Sequence, residues 1–449
     1  MAARAALSPR QGAQAAARAA LRAVAAGMSG SEGVVHVVGA GLAGLSAALR
    51  LTAMGRRVAL YEGAKAAGGR CRSFRDARLG RDIDNGNHLI LSGNRSALGY
   101  LRAAGAADAL VPAEAAAFPF FDLADGRRWR VAMDDGPAPF WLADPSRRAA
   151  GAGALAHLRA VAGLAAAGRG ATVAEAVRDR GAVWRGFVEP LTLAVLNAPP
   201  ERASARLLWR VLRETFLRGG RRCRPMFAPR GLGAAFVAPA LAALARRGAA
   251  PRFAAPLRAV EAEDGRAAVL RFAGADVALG PRDRVVLALP PARLRAAAPP
   301  LDPPGEGGAI LNAHFVLAEG AAASVPPLVG VLGAETQWVF RRGDVLSVTI
   351  SAAETGGLLA APEDAVAATL WAETRRAAGL PDGTAPVASR VIREKRATFD
   401  QSPAGAAKRL KPRTELANLF LAGDHVDTGL PATIEGAIRS GETAATLAA

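Results

Sequence analysis

Val34-Val-His-Val-Val-Gly39-Ala-Gly41-Leu-Ala-Gly44-Leu45 is a short β-branched run followed at once by three spaced glycines, and Glu62 closes the next apolar run. Five apolar or β-branched residues suffice for a buried parallel strand. Gly39 permits a tight turn, Gly41 lets the backbone approach a diphosphate, and Gly44 lets the following helix lie close to the sheet. Leu42 and Ala43 open that helix, predicted over residues 42–54, with Leu45, Ala48 and Leu49 on one face and Gly55 as its cap. Free N–H groups and the positive end of the helix dipole then favour a pyrophosphate. Residues 57–61 read as the second strand. Glu62 lies about 20 residues past the glycines, where a carboxylate can accept from ribose hydroxyls. These features together predict a dinucleotide site.

Gly68-Gly69-Arg70 follows the second strand and supplies two small residues and a cation beside the diphosphate. Asp84-Asn85-Gly86-Asn87-His88 packs polar side chains and a glycine into a turn between apolar residues. Near the C-terminus, Asn418-Leu-Phe-Leu-Ala422-Gly423-Asp424 reads as a strand ending in an acid. It precedes Thr428-Gly-Leu-Pro431-Ala-Thr433-Ile434-Glu435-Gly436-Ala437 and an alanine-rich helix, with Pro431 expected in the first helical turn. Such a helix end can receive the negative charge that a reduced flavin gathers on one edge.

The glycine fingerprint, the Gly-Gly-Arg loop and the Ala-Gly-Asp segment together resemble the FAD-dependent amine oxidase and phytoene desaturase superfamily. Within it, Asp84-Asn-Gly-Asn-His88, Gln337-Trp338-Val-Phe340, Glu394-Lys395-Arg396-Ala397-Thr398-Phe399 and residues 424–435 are similar to the hydroxysqualene dehydroxylase family of squalene-associated FAD-dependent desaturases. That family usually has Gln where this chain has Asn87, and Trp where it has His425. The resemblance implies an α/β fold: a Rossmann-like FAD-binding domain with an interleaved α+β substrate-binding domain. It implies FAD as cofactor, with Gly39, Gly41, Gly44 and Glu62 on the ADP half and Gly69 and Arg70 on the diphosphate or ribose. Gly86 and Asn87 would border the flavin. Leu257 would meet the adenine, Gly423 and Asp424 the ribityl or diphosphate region, and Thr433 and Ile434 the flavin ring. Amine oxidases of the superfamily place an aromatic cage residue at the position of Thr433. The chain has only two tyrosines, Tyr61 and Tyr100, so an amine substrate is disfavoured.

A 449-residue chain that is 51% hydrophobic exceeds one compact core and suits two intertwined domains. Its net charge of +18 suggests nucleic acid at first sight. However, only four of the 57 basic residues are Lys, and no basic run is interleaved with aromatics, so nucleic acid is not expected as a partner. Scattered cations instead suit weak attraction to an anionic membrane. No uncharged apolar run reaches the roughly 20 residues of a membrane span. The expectation is therefore a cytoplasmic protein, peripheral at the inner face of the membrane. Residues 155–167 and 191–196 are candidates for either buried core or a lipid-facing entrance. Cys71 and Cys223 read as ordinary thiols, and five unclustered histidines predict no metal site. The first 28 residues carry no acid and are expected to form a disordered extension, with Met28 an alternative start.

The expected flavin domain comprises residues 29–95, 206–291 and 393–449. The substrate domain comprises 96–205, read as mainly helical, and 292–392, read as a sheet floor. With no nicotinamide module in the sequence, electrons come from an external donor. The expected reaction is reductive loss of the hydroxyl from a polyprenyl C30 substrate, hydroxysqualene, to give squalene. A carotenoid desaturase or isomerase, and a non-catalytic flavin-binding lipid carrier, are the alternatives. Candidate acids for the departing water are His88, Asp427 and Glu435; His88 can instead be a neutral ring that hydrogen-bonds the cofactor loop, and Asp427 and Glu435 can instead cap or brace the C-terminal helix, the favoured reading for Glu435.

Overall fold

Strand Val34–Val38 is paired on both sides with parallel neighbours, Arg57–Tyr61 on one and Arg284–Leu287 on the other, and Leu419–Leu421 extends the sheet in the same direction. The computed structural model describes residues 33–449, so the expectation for residues 1–28 lies outside the described residues. All four strands are almost wholly buried, which is why they read as continuous apolar runs and not as alternating ones. Neighbours in the sheet can be far apart in sequence: the last strand comes from near residue 420 and brings the C-terminal helix onto the first βα unit.

Helix Leu42–Ala53 follows the glycine turn as expected, and helix Ile434–Ala448 packs directly across it. Small residues make that contact possible. A Cβ on Gly441 would lie 2.1 Å from the Ala43 carbonyl oxygen, and Ser46 Oγ donates to the Ile438 carbonyl at 3.0 Å. Pro431 does not open the C-terminal helix. Thr433 is its N-cap, accepting from the Gly436 N–H at 3.0 Å, and Pro431 stands in the loop before it. The hydroxyl cap outcompetes the proline signal because it satisfies an otherwise orphaned donor.

The second layer is a seven-stranded sheet in the spatial order Ala388–Glu394, Ile310–Val316, Val345–Ser351, Trp338–Arg342, Leu328–Leu332, Ala117–Asp122 and Arg128–Ala132. Every pairing is antiparallel except that of Leu328–Leu332 with Ala117–Asp122. Two expectations are corrected here. Residues 96–205 are not all helical, because Ala117–Asp122 and Arg128–Ala132 form one edge of this sheet. The switch expected at 392/393 falls inside Ala388–Glu394, whose pairing with Ile310–Val316 keeps it in the sheet. The boundary at 206 is also displaced. Helix Ala205–Glu214 packs with Ala154–Ala166 in one apolar cluster of the helical layer that also holds Val173, Trp184 and Leu196. Hydrophobic burial, and not chain order, decides each of these boundaries.

Candidate active site

The glycine loop lies where the sequence puts it, at the carboxyl ends of the parallel strands. Gly39 has φ +106° and its N–H donates to the Tyr61 carbonyl at 2.7 Å. A Cβ on Gly44 would lie 1.8 Å from the Gly39 carbonyl oxygen. Gly41 differs: a Cβ there would meet nothing within 4 Å, so its bare face opens onto a cradle. The opposite side of the cradle is the Gly68-Gly69 turn, both residues with positive φ. It is held by a Gly68 N–H to Ala40 carbonyl bond of 2.8 Å and a bridge between Gly41 and Gly68. The Glu62 carboxylate accepts from the Ala40 N–H at 2.7 Å and the Ala64 N–H at 2.8 Å, which fixes an acid at the rim. Leu257 starts strand Leu257–Glu263. The preceding segment is tied to Glu62 by a 2.9 Å bond from the Ala255 N–H, so Leu257 belongs to the same end of the cradle. Two bare glycine turns, a helix N-terminus and a fixed carboxylate fit the ADP half of FAD.

Arg70 and Asp424 join distant parts of the chain. Arg70 Nη2 donates to Asp424 Oδ1 at 2.7 Å, and Nη1 to the Ala397 carbonyl at 2.6 Å. Burial alone would raise the Asp424 carboxyl. The Arg70 guanidinium, with His425 nearby, outweighs it and holds Asp424 well below the usual carboxylate range. Arg409, buried, donates to the carbonyls of Leu430, Asp424 and Val426 and so locks the loop that presents Asp424. Gly423 is fixed by a 2.8 Å bond from its N–H to Ser440 Oγ. Asp84 organises the adjacent turn. It accepts from Ser73 Oγ, from the Leu232 N–H at 3.0 Å and from Arg342, pulling three segments together. Beyond it, Asn87 Nδ2 donates to Thr349 Oγ1 at 3.0 Å, and Thr349 Oγ1 to Asn312 Oδ1 at 2.8 Å. Gly86 sits against Asn312, whose Nδ2 would be 3.2 Å from a Cβ there.

A chamber of about 250 Å³ runs from this turn between the seven-stranded sheet and the helical layer. One end carries Asn87, His88, Thr433, Ile434 and Glu435; the remainder is walled by Phe118, Phe120, Phe187, Phe216, Trp338 and Phe340 with aliphatic neighbours. Ring contacts knit this wall: Phe120 to Trp338 at 5.5 Å, Phe118 to Phe216 at 5.7 Å and Phe187 to Phe216 at 6.0 Å between centroids. Gly330 makes the wall possible, because a Cβ there would lie 2.5 Å from the Phe120 ring. Residues 191–196, one of the two apolar segments singled out above, contribute Leu191, Ala194 and Val195 to the wall.

The three candidate acids separate. His88 faces the chamber, and among the described residues its ring has no hydrogen-bond partner. Desolvation by the surrounding walls, reinforced by the Arg70 charge, lowers its pKa to about 4, so the ring is neutral near pH 7. Asp427 does not reach the chamber: its side chain is 57% exposed and accepts from the Gly429 N–H at 3.0 Å. Glu435 lines the chamber but is occupied, accepting from the Ser96 and Ala97 N–H groups at 3.1 and 2.8 Å and from Arg439 at 2.9 Å. From the C-terminal helix it thus caps the N-terminus of helix Arg95–Ala104, a different helix from the one it was expected to brace. The sequence missed Glu214, the last residue of helix Ala205–Glu214, which lines the chamber and accepts two bonds from Arg439 at 3.2 and 2.7 Å. It missed Asn197 too, a left-handed residue at φ +47° that also lines the chamber and ties it to Gly308 and Ala352.

A dinucleotide cradle joined to an apolar chamber defines a flavin-dependent oxidoreductase. The family model described as flavin containing amine oxidoreductase matches residues 42–449, and the chain belongs to that family. It is 44% identical over 404 residues to a hydroxysqualene dehydroxylase of Rhodopseudomonas palustris, covering 90% of this chain and 95% of that protein. It is 41% identical over 404 residues to a hydroxysqualene dehydroxylase of Sinorhizobium fredii, with 90% and 95% covered. Among solved structures, cyclohexylamine oxidase from Brevibacterium oxydans superimposes with a TM-score of 0.69 at 17% identity, covering 93% of this chain and 99% of that one. Putrescine oxidase gives 0.67 at 17% identity, covering 92% and 98%. At that identity these two likenesses concern the fold. The cofactor is FAD, as the cradle and the family together require.

Proposed function

We propose that this enzyme removes the hydroxyl of hydroxysqualene to give squalene, with an external reductant and at the face of a membrane. The observation that carries the reading is the chamber, aromatic and aliphatic along most of its wall and polar at the cofactor end, in a chain 44% identical to a hydroxysqualene dehydroxylase. FAD held in the cradle would, when reduced, supply a hydride to the carbon that loses its hydroxyl, while the hydroxyl takes up one proton and leaves as water. The chain's part is to exclude bulk water, fix the hydroxyl-bearing carbon and stabilise positive charge as the carbon–oxygen bond lengthens. The Trp338, Phe120 and Phe340 rings offer π faces to an allylic cation. We assign hydroxyl recognition to Glu214, held by Arg439, because Glu435 is already committed to backbone donors. Neutral His88 offers a second hydrogen-bonding group at the flavin end.

Gly39, Gly41, Leu42, Ala43, Gly44, Glu62, Gly69, Arg70, Leu257, Gly423 and Asp424 form the nucleotide cradle of this reading, and Gly86, Asn87, Thr433 and Ile434 border the flavin. A carotenoid desaturase would share this fold and apolar chamber but run the flavin in the oxidising direction. Hydroxysqualene supplied with reductant, set against phytoene supplied with oxidant, separates the two. Squalene from the first and no product from the second is the expected pattern; the reverse overturns the reading.

A further inference from the structure

Residues 140–166 leave an apolar face uncovered. Phe140 is 77% exposed, Leu155 56% and Leu158 47%. Soluble surfaces seldom group large apolar side chains in this way. The three are neighbours in space: the turn Phe140–Ala143 packs on helix Ala154–Ala166, and the Trp141 ring meets His157 at 6.1 Å. The same helix buries His157, Ala160 and Leu164 on its other side, so it is core on one face and bare on the opposite one.

Three further observations indicate what covers that face. First, the patch and the chamber share one aromatic cluster. Trp141 meets His157, His157 meets Phe187 at 5.8 Å, and Phe187 lines the chamber. Second, the chain from Pro145 to Ala174 holds Arg147, Arg148, Arg159 and Arg169 and not one acid. Arg159 lies on the exposed side beside Leu158, and among the described residues neither it nor Arg169 has an ion pair. Third, no described helix is long and apolar enough to cross a membrane, so among the described residues lipid contact falls to a surface patch of this kind.

We propose that the Phe140–Leu158 face docks on an anionic lipid leaflet and that the hydrocarbon substrate passes from the bilayer to the chamber along the Trp141–His157–Phe187 ring series. This deepens the proposed function and rests on it for the identity of the cargo, not for the docking itself. Phe140, Leu155 and Leu158 enter the headgroup–acyl boundary while Arg159 and Arg169 meet lipid phosphates. A C30 hydrocarbon is then never exposed to bulk water between membrane and chamber.

The full-length, FAD-loaded protein is sedimented with vesicles of phosphatidylcholine alone and of phosphatidylcholine with phosphatidylglycerol, beside Leu155→Glu/Leu158→Glu and Phe140→Asp variants. Flavin absorbance serves as the folding control. The wild type is expected to bind the anionic vesicles at least tenfold better than the neutral ones. Both variants are expected to lose at least tenfold of that binding while keeping their flavin and turning over detergent-dispersed hydroxysqualene at the wild-type rate. An Arg159→Glu/Arg169→Glu variant, which leaves the apolar residues in place, is expected to bind both vesicle types equally weakly. Variants that sediment as well as the wild type overturn the proposal, as does a wild type that ignores vesicles or buries the patch in a dimer. If dispersed hydroxysqualene is turned over by no form while vesicle binding still follows the variants, the substrate reading fails and the docking surface stands.

Discussion

Arg70 and Asp424, 354 residues apart in sequence, meet at 2.7 Å between the glycine cradle and the C-terminal helix. Asp424 is buried and Arg70 only partly so. The pair is thus a clasp between distant parts of the chain, and the groups it fixes are those proposed to hold the cofactor. Replacing Asp424 by Asn leaves the half-buried Arg70 without its counter-charge. Because water reaches the Arg70 guanidinium, we expect a loss of about 1 kcal/mol in unfolding free energy and a weakened hold on FAD, read by denaturant titration and flavin fluorescence. An unchanged denaturation midpoint would contradict the clasp.

Gly41 and Gly44 separate cofactor binding from folding. A methyl on Gly41 enters open space in a residue with ordinary backbone angles, whereas one on Gly44 collides with the Gly39 carbonyl. Gly41→Ala is therefore expected to fold within about 0.5 kcal/mol of wild type yet bind FAD more than tenfold more weakly. Gly44→Ala is expected to lose the fold itself. Equal FAD affinity in Gly41→Ala and wild type would remove the diphosphate from this cradle.

Glu435 is expected to matter for stability and not as a proton donor. Glu435→Ala orphans two backbone N–H groups and should cost about 2 kcal/mol. Glu435→Gln keeps an acceptor at the same place, so its turnover should stay within tenfold of wild type. Glu214→Leu, by contrast, should raise KM for the hydroxylated substrate with little change in squalene affinity. Loss of all turnover in Glu435→Gln would return that residue to the list of candidate acids.

Acid sensitivity follows from buried imidazoles. His314, fully buried and bonded to Ser347 at 2.8 Å, has its pKa lowered to about 4 by burial and by the Arg342 charge. The unfolded chain takes up a proton near pH 6.5 that the folded chain refuses until about pH 4. Stability is thus fully present above 6.5 and falls as pH drops through that window, by about 3 kcal/mol for this group. Thermal unfolding between pH 7.5 and 4 should show this decline, reduced in His314→Gln; a decline of the same size in the variant would assign it elsewhere.

Legibility tracked the range of the interactions. The cradle was readable because each glycine acts on residues within a few positions of itself, and spacing alone encodes a strand, a turn and a helix. The Asp84 turn was visible as a polar cluster, but its partners Ser73, Leu232 and Arg342 are scattered along the chain. Glu214 and Asn197 carry no local signal, since nothing near them in sequence reveals that Arg439 and Gly308 will face them. Strand Ala117–Asp122 was lost in an alanine-rich background that favours helix. Its Phe118, Phe120 and Phe121 were the overlooked signal, as aromatics at that density suit a half-buried sheet.

The central claim is that one bound FAD, reduced, passes its electrons to a hydroxylated polyprene in the aromatic chamber. Its most direct test is anaerobic photoreduction of the purified holoenzyme followed by addition of hydroxysqualene, with the flavin spectrum and the extracted lipid monitored together. The account predicts return of the oxidised flavin spectrum with one squalene formed per flavin. A flavin that stays reduced in the presence of hydroxysqualene, or that reoxidises without squalene appearing, would contradict it.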